Sequence, residues 1–183
     1  MPPLRLIHGR FPREVALGNY RVVGAPRGRP PFRVDAMAFE EDTFLVMSAD
    51  PRIRAPGESL IKIMTRVIEM KPKVPGSVLV KKGHPMRFLA VVHDLNADPS
   101  WKEEWVAEAL LGIFNEAEKR RCRSIGIPFL GTLHGSLEKE RFLSLFKQTA
   151  NQISRTYPES IWLVMPDGTR AGILDILNPG IKE

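Results

Sequence analysis

One cysteine, Cys122, is all the thiol chemistry this 183-residue chain holds. A single thiol excludes an intramolecular disulfide and points to a reducing, cytoplasmic setting. Long hydrophobic runs are also missing. The longest, such as residues 88–92 and 161–165, fall far short of the ~20 residues that span a bilayer. The opening Met1-Pro2-Pro3-Leu4-Arg5 lacks the apolar core of a secretory signal, so no membrane association is expected. There is no internal repeat and no low-complexity tract. His84, His93 and His134, taken with Asp50, Asp94 and Cys122, do not show metal-ligand spacing, so neither a metal nor another cofactor is expected.

Lysine is absent from residues 1–34, which carry seven arginines and a single acid, Glu14. Of the chain's 27 basic and 21 acidic side chains, 20 of each remain for residues 35–183, so the whole net charge of +6 sits at the front. The reading is a basic Arg/Pro-rich arm or extension over residues 1–34, with residues 35–183 as one domain large enough for a full core. Such an arm favours polyanions, nucleic acid or an acidic protein, and is expected to make salt-sensitive contacts; the plainer alternative is a solvated, partly docked extension. Within it, the stretch from Gly24 to Pro31 reads as a linker or an edge-hugging loop.

After Pro31 strands alternate with helices. Residues 32–39 and 43–48 read as strands joined at Glu40-Glu41-Asp42. Leu60, Ile61, Met64, Val67 and Ile68 mark one face of a helix that Pro72 stops. Residues 77–80 and 87–93 read as strands around the turn Lys82-Gly83-His84-Pro85. Ser100 and Glu103 suggest a capping box, followed by a helix faced by Val106, Ala109, Leu110, Ile113, Phe114 and Ala117 with a basic end. Trp101 and Trp105 stand one helical turn apart, a pairing that more often covers a helix than stacks bases. A strand at 124–129, a helix carrying Leu137, Phe142, Leu145, Phe146 and Ile153, and a strand at 161–165 complete the series. This alternation implies an α/β fold with a mixed, mostly parallel sheet covered on both faces.

The most informative segment joins the strand at 124–129 to the helix after it. Gly131 and Gly135 bracket a loop whose backbone N–H groups can face an anion at a helix start, although the same glycines would serve an ordinary strand-to-helix turn. Ligands of such sheets bind beyond the carboxyl ends of the strands, where the turns Met47-Ser48-Ala49-Asp50, Val92-His93-Asp94 and Leu130-Gly131-Thr132 are expected to converge. Cys122 lies between Arg121 and Arg123, which could lower its pKa, yet its place before a strand suits a small half-buried side chain better than a nucleophile. A Cys122, His93, Asp94 triad fails on placement, since the cysteine precedes its strand and the other two follow theirs.

The run Pro128-Phe129-Leu130-Gly131-Thr132-Leu133-His134-Gly135-Ser136-Leu137 resembles the phosphate loop of macro domains, Pro-x-Leu-Gly-Thr-Gly-x-Gly-Gly. The segment from Asp42 to Asp50 resembles the family strand ending in Asn-Ala-Ala-Asn. Pro75-Gly76-Ser77-Val78 and Val91-Val92-His93 are similar to the Gly-x-Val and Val-Ile-His strands, and Asp35 stands at the interval of the adenine-binding aspartate. The resemblance implies a three-layer α/β/α sandwich that binds ADP-ribose or a related nucleotide. It implies Asp35 at the adenine, Gly57 in the glycine-rich segment, and Gly131, Thr132, Leu133, His134, Gly135 and Ser136 at the diphosphate. Asp50 stands where the family has its last asparagine, and is the candidate to orient a water if ADP-ribosyl groups are hydrolysed. Binding is favoured over catalysis. The alternative is a degenerate macro-like interaction module without a nucleotide.

Overall fold

The computed structural model describes residues 12–46 and 71–178. Seven strands form one sheet: β1 (Arg13–Leu17), β2 (Tyr20–Pro26), β3 (Ala36–Asp42), β4 (Val78–Lys81), β5 (Met86–His93), β6 (Ser124–Pro128) and β7 (Ser160–Met165), in the order β1-β2-β7-β6-β3-β5-β4. The five central strands are mutually parallel, and β1 and β4 pair antiparallel at the two edges. Helices α1 (Glu103–Lys119) and α2 (Lys139–Gln152) pack on each other, and a short 3₁₀ helix, Ala171–Ile176, packs against α2 and β1.

Both faces of the sheet are covered, because both residues of each strand period are apolar and buried. Val22, Ala38, Phe88, Ile125, Ile127 and Leu163 join Phe114, Phe142 and Phe146 of the helices in one core. On the alternate positions Val23, Leu89, Val91 and Trp162 are buried as well. Each such large side chain contributes roughly 1.5–3 kcal/mol by leaving water.

The front of the chain is part of the sheet. Residues 13–17 and 20–26 are its first two strands, so Gly24 to Pro26, expected in a linker, belong to β2. Gly24 serves packing there: a Cβ would come within 2.4 Å of Leu174 Cδ1. Arg13 pairs with Asp175, and Arg21 with Glu14 at 2.7 Å.

Three local expectations need correction. Glu40-Glu41-Asp42 is not a turn but the end of a central strand, with all three residues buried. Residues 43–46 are not a strand, because the Asp42 carboxylate accepts the N–H groups of Phe44 (2.6 Å) and Val46 (3.0 Å), bending the chain and leaving Leu45 at φ 58°. The capping box does not form: Lys102 caps α1 without a side-chain bond, while the Ser100 carbonyl accepts the Asp94 N–H and Trp101 bridges His93. Trp101 therefore precedes the helix that carries Trp105. The helix expected around residues 60–68 lies outside the described residues. Among those residues, no helix is long and apolar enough to cross a membrane.

Candidate functional site

All five parallel strands end on one edge of the sheet, where side chains and loops from distant parts of the chain meet. A cleft of about 440 Å³ opens there, lined by Arg27 after β2, Phe39 and Glu40 of β3, Thr132 and Leu133 after β6, and Lys139 at the start of α2. That volume suits a small organic ligand. Lys139 Nζ donates to Thr169 Oγ1 at 3.0 Å, which holds the ammonium at the rim.

The loop between β6 and α2 folds back on itself. Thr132 donates from both its N–H (3.3 Å) and its hydroxyl (2.7 Å) to the Phe129 carbonyl, and Leu137 N–H closes the turn onto the Gly131 carbonyl at 3.2 Å. Gly131 sits at φ 76°, a conformation that other residues adopt only with strain. Among the described residues, the N–H groups of Leu133, His134, Gly135 and Ser136 donate to nothing. Successive free amides before a helix are a ready concavity for an anion.

Beneath this loop lies a buried polar cluster. Glu40 Oε2 accepts the Gly131 N–H at 2.9 Å, and Glu40 Oε1 lies 2.5 Å from His93 Nε2, which donates when it carries the ring proton. His93 is fully buried, and its ring meets that of His134 edge-on at 6.3 Å. Glu40 thus ties three strand ends together and anchors the first residue of the loop.

The structure brings Gly131, Thr132, Leu133, His134, Gly135 and Ser136 to this edge. Leu133 keeps an ordinary backbone conformation and is 70% exposed at the cleft. Asp35 is not brought there. It immediately precedes β3 at the opposite edge, about 20 Å away along the strands, where its carboxylate accepts the N–H groups of Arg123 (2.7 Å) and Ser124 (3.0 Å). The strand that ends at the cleft is β3, so the resemblance drawn over Asp42–Asp50 begins where that strand stops. Asp50 and Gly57 lie outside the described residues. No group of metal-ligating side chains occurs among the described residues.

Cys122 lies at the far edge from His93 and Asp94. Burial raises its pKa first and the Asp35 charge adds to this, with Arg120 only partly opposing; the expected lowering by Arg121 and Arg123 is not what this environment does. The native protein is therefore expected to resist iodoacetamide at pH ~8 while the guanidinium-unfolded chain alkylates fully. Intact-mass measurement over time decides it, and rapid native labelling would contradict the buried placement.

Four site residues escaped the sequence reading: Glu40, His93 as its partner, Arg27 and Lys139. Glu40 was hidden in an acidic run that looks like a turn. Lys139 carried one usable signal, a cation one turn after a glycine loop.

No family model and no curated protein matches the sequence. Solved structures do match. The macrodomain of Oceanobacillus iheyensis with ADP superposes with TM-score 0.64 at 12% identity over 91% of this chain and 93% of that one. The macrodomain of Thermus aquaticus DarG gives 0.54 at 19% identity over 78% and 99%. That of Mycobacterium tuberculosis DarG gives 0.56 at 11% identity over 79% and 98%. The strand order, the parallel centre and these superpositions agree that the chain has the macrodomain fold.

Proposed function

We propose that the cleft binds ADP-ribose or a closely related nucleoside diphosphate, with the diphosphate on the amides of residues 133–136 and Arg27 and Lys139 supplying positive charge. The observation that carries this reading is the run of four backbone donors, free among the described residues, in the loop whose Thr132 and Leu133 line a cleft of suitable size. Related Oceanobacillus structures hold ADP and ADPR, which supports the same ligand class here. Binding is the activity assigned.

A second reading, an interaction module without a nucleotide, draws on Glu40. Its carboxylate already occupies the Gly131 amide and adds negative charge to the cleft wall. At about 4 Å and an effective dielectric near 20, a carboxylate opposes a phosphate by about 4 kcal/mol, close to a thousandfold in affinity. Its hydrogen bonds to Gly131 and His93 offset part of that charge, which keeps the binding reading ahead.

Titration calorimetry with ADP-ribose separates the two. The parent protein is expected to bind one equivalent, and Lys139→Met to weaken binding about tenfold through loss of one charged contact. Absence of binding heat, together with no stabilisation in a thermal melt, would favour the interaction module.

A further inference from the structure

The opposite edge of the sheet carries a second concavity that the nucleotide reading does not use. It is a groove of about 930 Å³ below the amino ends of the parallel strands, with Pro30, Phe32 and Pro85 among its apolar walls and Arg33, Arg120, Arg121, Arg123 and His84 around them. Four arginines face one acid, Asp35, whose carboxylate is engaged by the Arg123 and Ser124 amides.

The arginines are not equivalent. Arg123 is held by Glu159 in a two-pronged pair at 3.1 and 3.2 Å, and Arg120 pairs with Glu116 one turn back. Arg33 and Arg121 are exposed and have no acidic partner among the described residues.

Arg121 also stands where a side chain is costly. It follows the end of α1 in a two-bond terminator: Cys122 N–H reaches the Ala117 carbonyl (2.9 Å) and Arg121 N–H the Glu118 carbonyl (3.0 Å). The left-handed residue of this motif is usually glycine, and Arg121 occupies it at φ 53°. A guanidinium is thus held at the groove rim against backbone preference, the kind of strain that function tends to retain.

We propose that this groove binds single-stranded nucleic acid, with Arg33 and Arg121 on successive phosphates and bases lying against Phe32, Pro30 and Pro85. Guanidinium forks match phosphate oxygens, and flat apolar walls accept bases of any sequence. An acidic peptide would use the cations but leave those walls wet. The chain's net charge of +6 favours the encounter.

The test is fluorescence anisotropy of the full chain with labelled oligo-dT and oligo-U of about 15 nucleotides, at roughly 50 and 200 mM salt. Arg33→Ala and Arg121→Gly are each expected to weaken binding about tenfold at low salt and to flatten its salt dependence. Arg121→Gly relieves the left-handed strain, so its thermal midpoint is expected to rise by a few degrees as its affinity falls, which misfolding cannot imitate. ADP-ribose is expected not to displace the oligonucleotide. The proposal is overturned if the parent does not bind, if both variants bind like the parent, if ADP-ribose competes, or if polyglutamate of equal length binds as tightly.

Discussion

Replacing Glu40 by alanine is expected to cost about 3–5 kcal/mol of folding stability, as much as truncating a large core side chain. The carboxylate, on a residue only 8% exposed, serves Gly131 N–H and His93 Nε2. Deleting it strands both groups away from water at roughly 1–3 kcal/mol each and adds a cavity. Glu40→Gln is the sharper variant. It keeps the volume and an acceptor for the Gly131 N–H, while His93 Nε2 accepts the amide NH₂ only by moving its ring proton to the buried, unpartnered Nδ1, so about half of the loss is expected to remain. Urea unfolding at constant m-value reads both. A domain of ordinary stability holds only about 5–15 kcal/mol, so Glu40→Ala sits near the threshold of folding. A loss below about 1 kcal/mol for alanine would mean that water replaces the carboxylate freely and that the cluster does not hold the loop.

Gly135→Ala is expected to dismantle the loop itself. A Cβ at this position would lie 2.4 Å from the Gly131 carbonyl oxygen and 3.0 Å from the Trp101 ring. Neither neighbour yields easily: the carbonyl is backbone and already accepts the Leu137 N–H, and Trp101 is pinned by its bridge to His93. The loop must open, at about 2–3 kcal/mol, and the four free amides shift from their present positions. Under the nucleotide reading, ADP-ribose affinity falls well beyond tenfold by calorimetry. Gly28→Ala is the control, since a Cβ there meets nothing within 4 Å and stability is expected to move by less than about 0.5 kcal/mol. Undiminished binding in Gly135→Ala would place the ligand elsewhere.

Much of the architecture could be read directly. Short apolar runs between turn residues located β4 to β7, and helical spacing located α1 and α2, because buried periodicity is a local pattern. The glycine loop after β6 was legible for the same reason: Gly131 needs its φ of 76°, and that need is written in one residue. Macro-domain resemblance followed from the order of several weak matches, and the fold agrees with it.

What failed to be legible depended on partners far away in the chain. Three successive acids suggest a turn when only their neighbours are considered; here β5 pairs with all three, and His93 and Gly131 arrive from 53 and 91 positions on to satisfy Glu40. With that run inside β3, the strand ends at Asp42, where the family-like segment was expected to begin, and Asp35 falls at the opposite edge. The arginine-rich front read as an arm because its composition repels burial. Val22, Val23 and Ala25 nevertheless find β7 beside them, and pairing with a central strand outweighs local charge.

The sequence by itself determined the alternation of elements, the glycine loop and the excess of positive charge, since each follows from residue type and near spacing. The tertiary structure alone decided which carboxylate anchors that loop, that Lys139 and Arg27 face one cleft, and that Arg33 and Arg121 share a groove at the other edge. Those are distances between residues remote in the chain, and only the pairing of parallel strands brings them together.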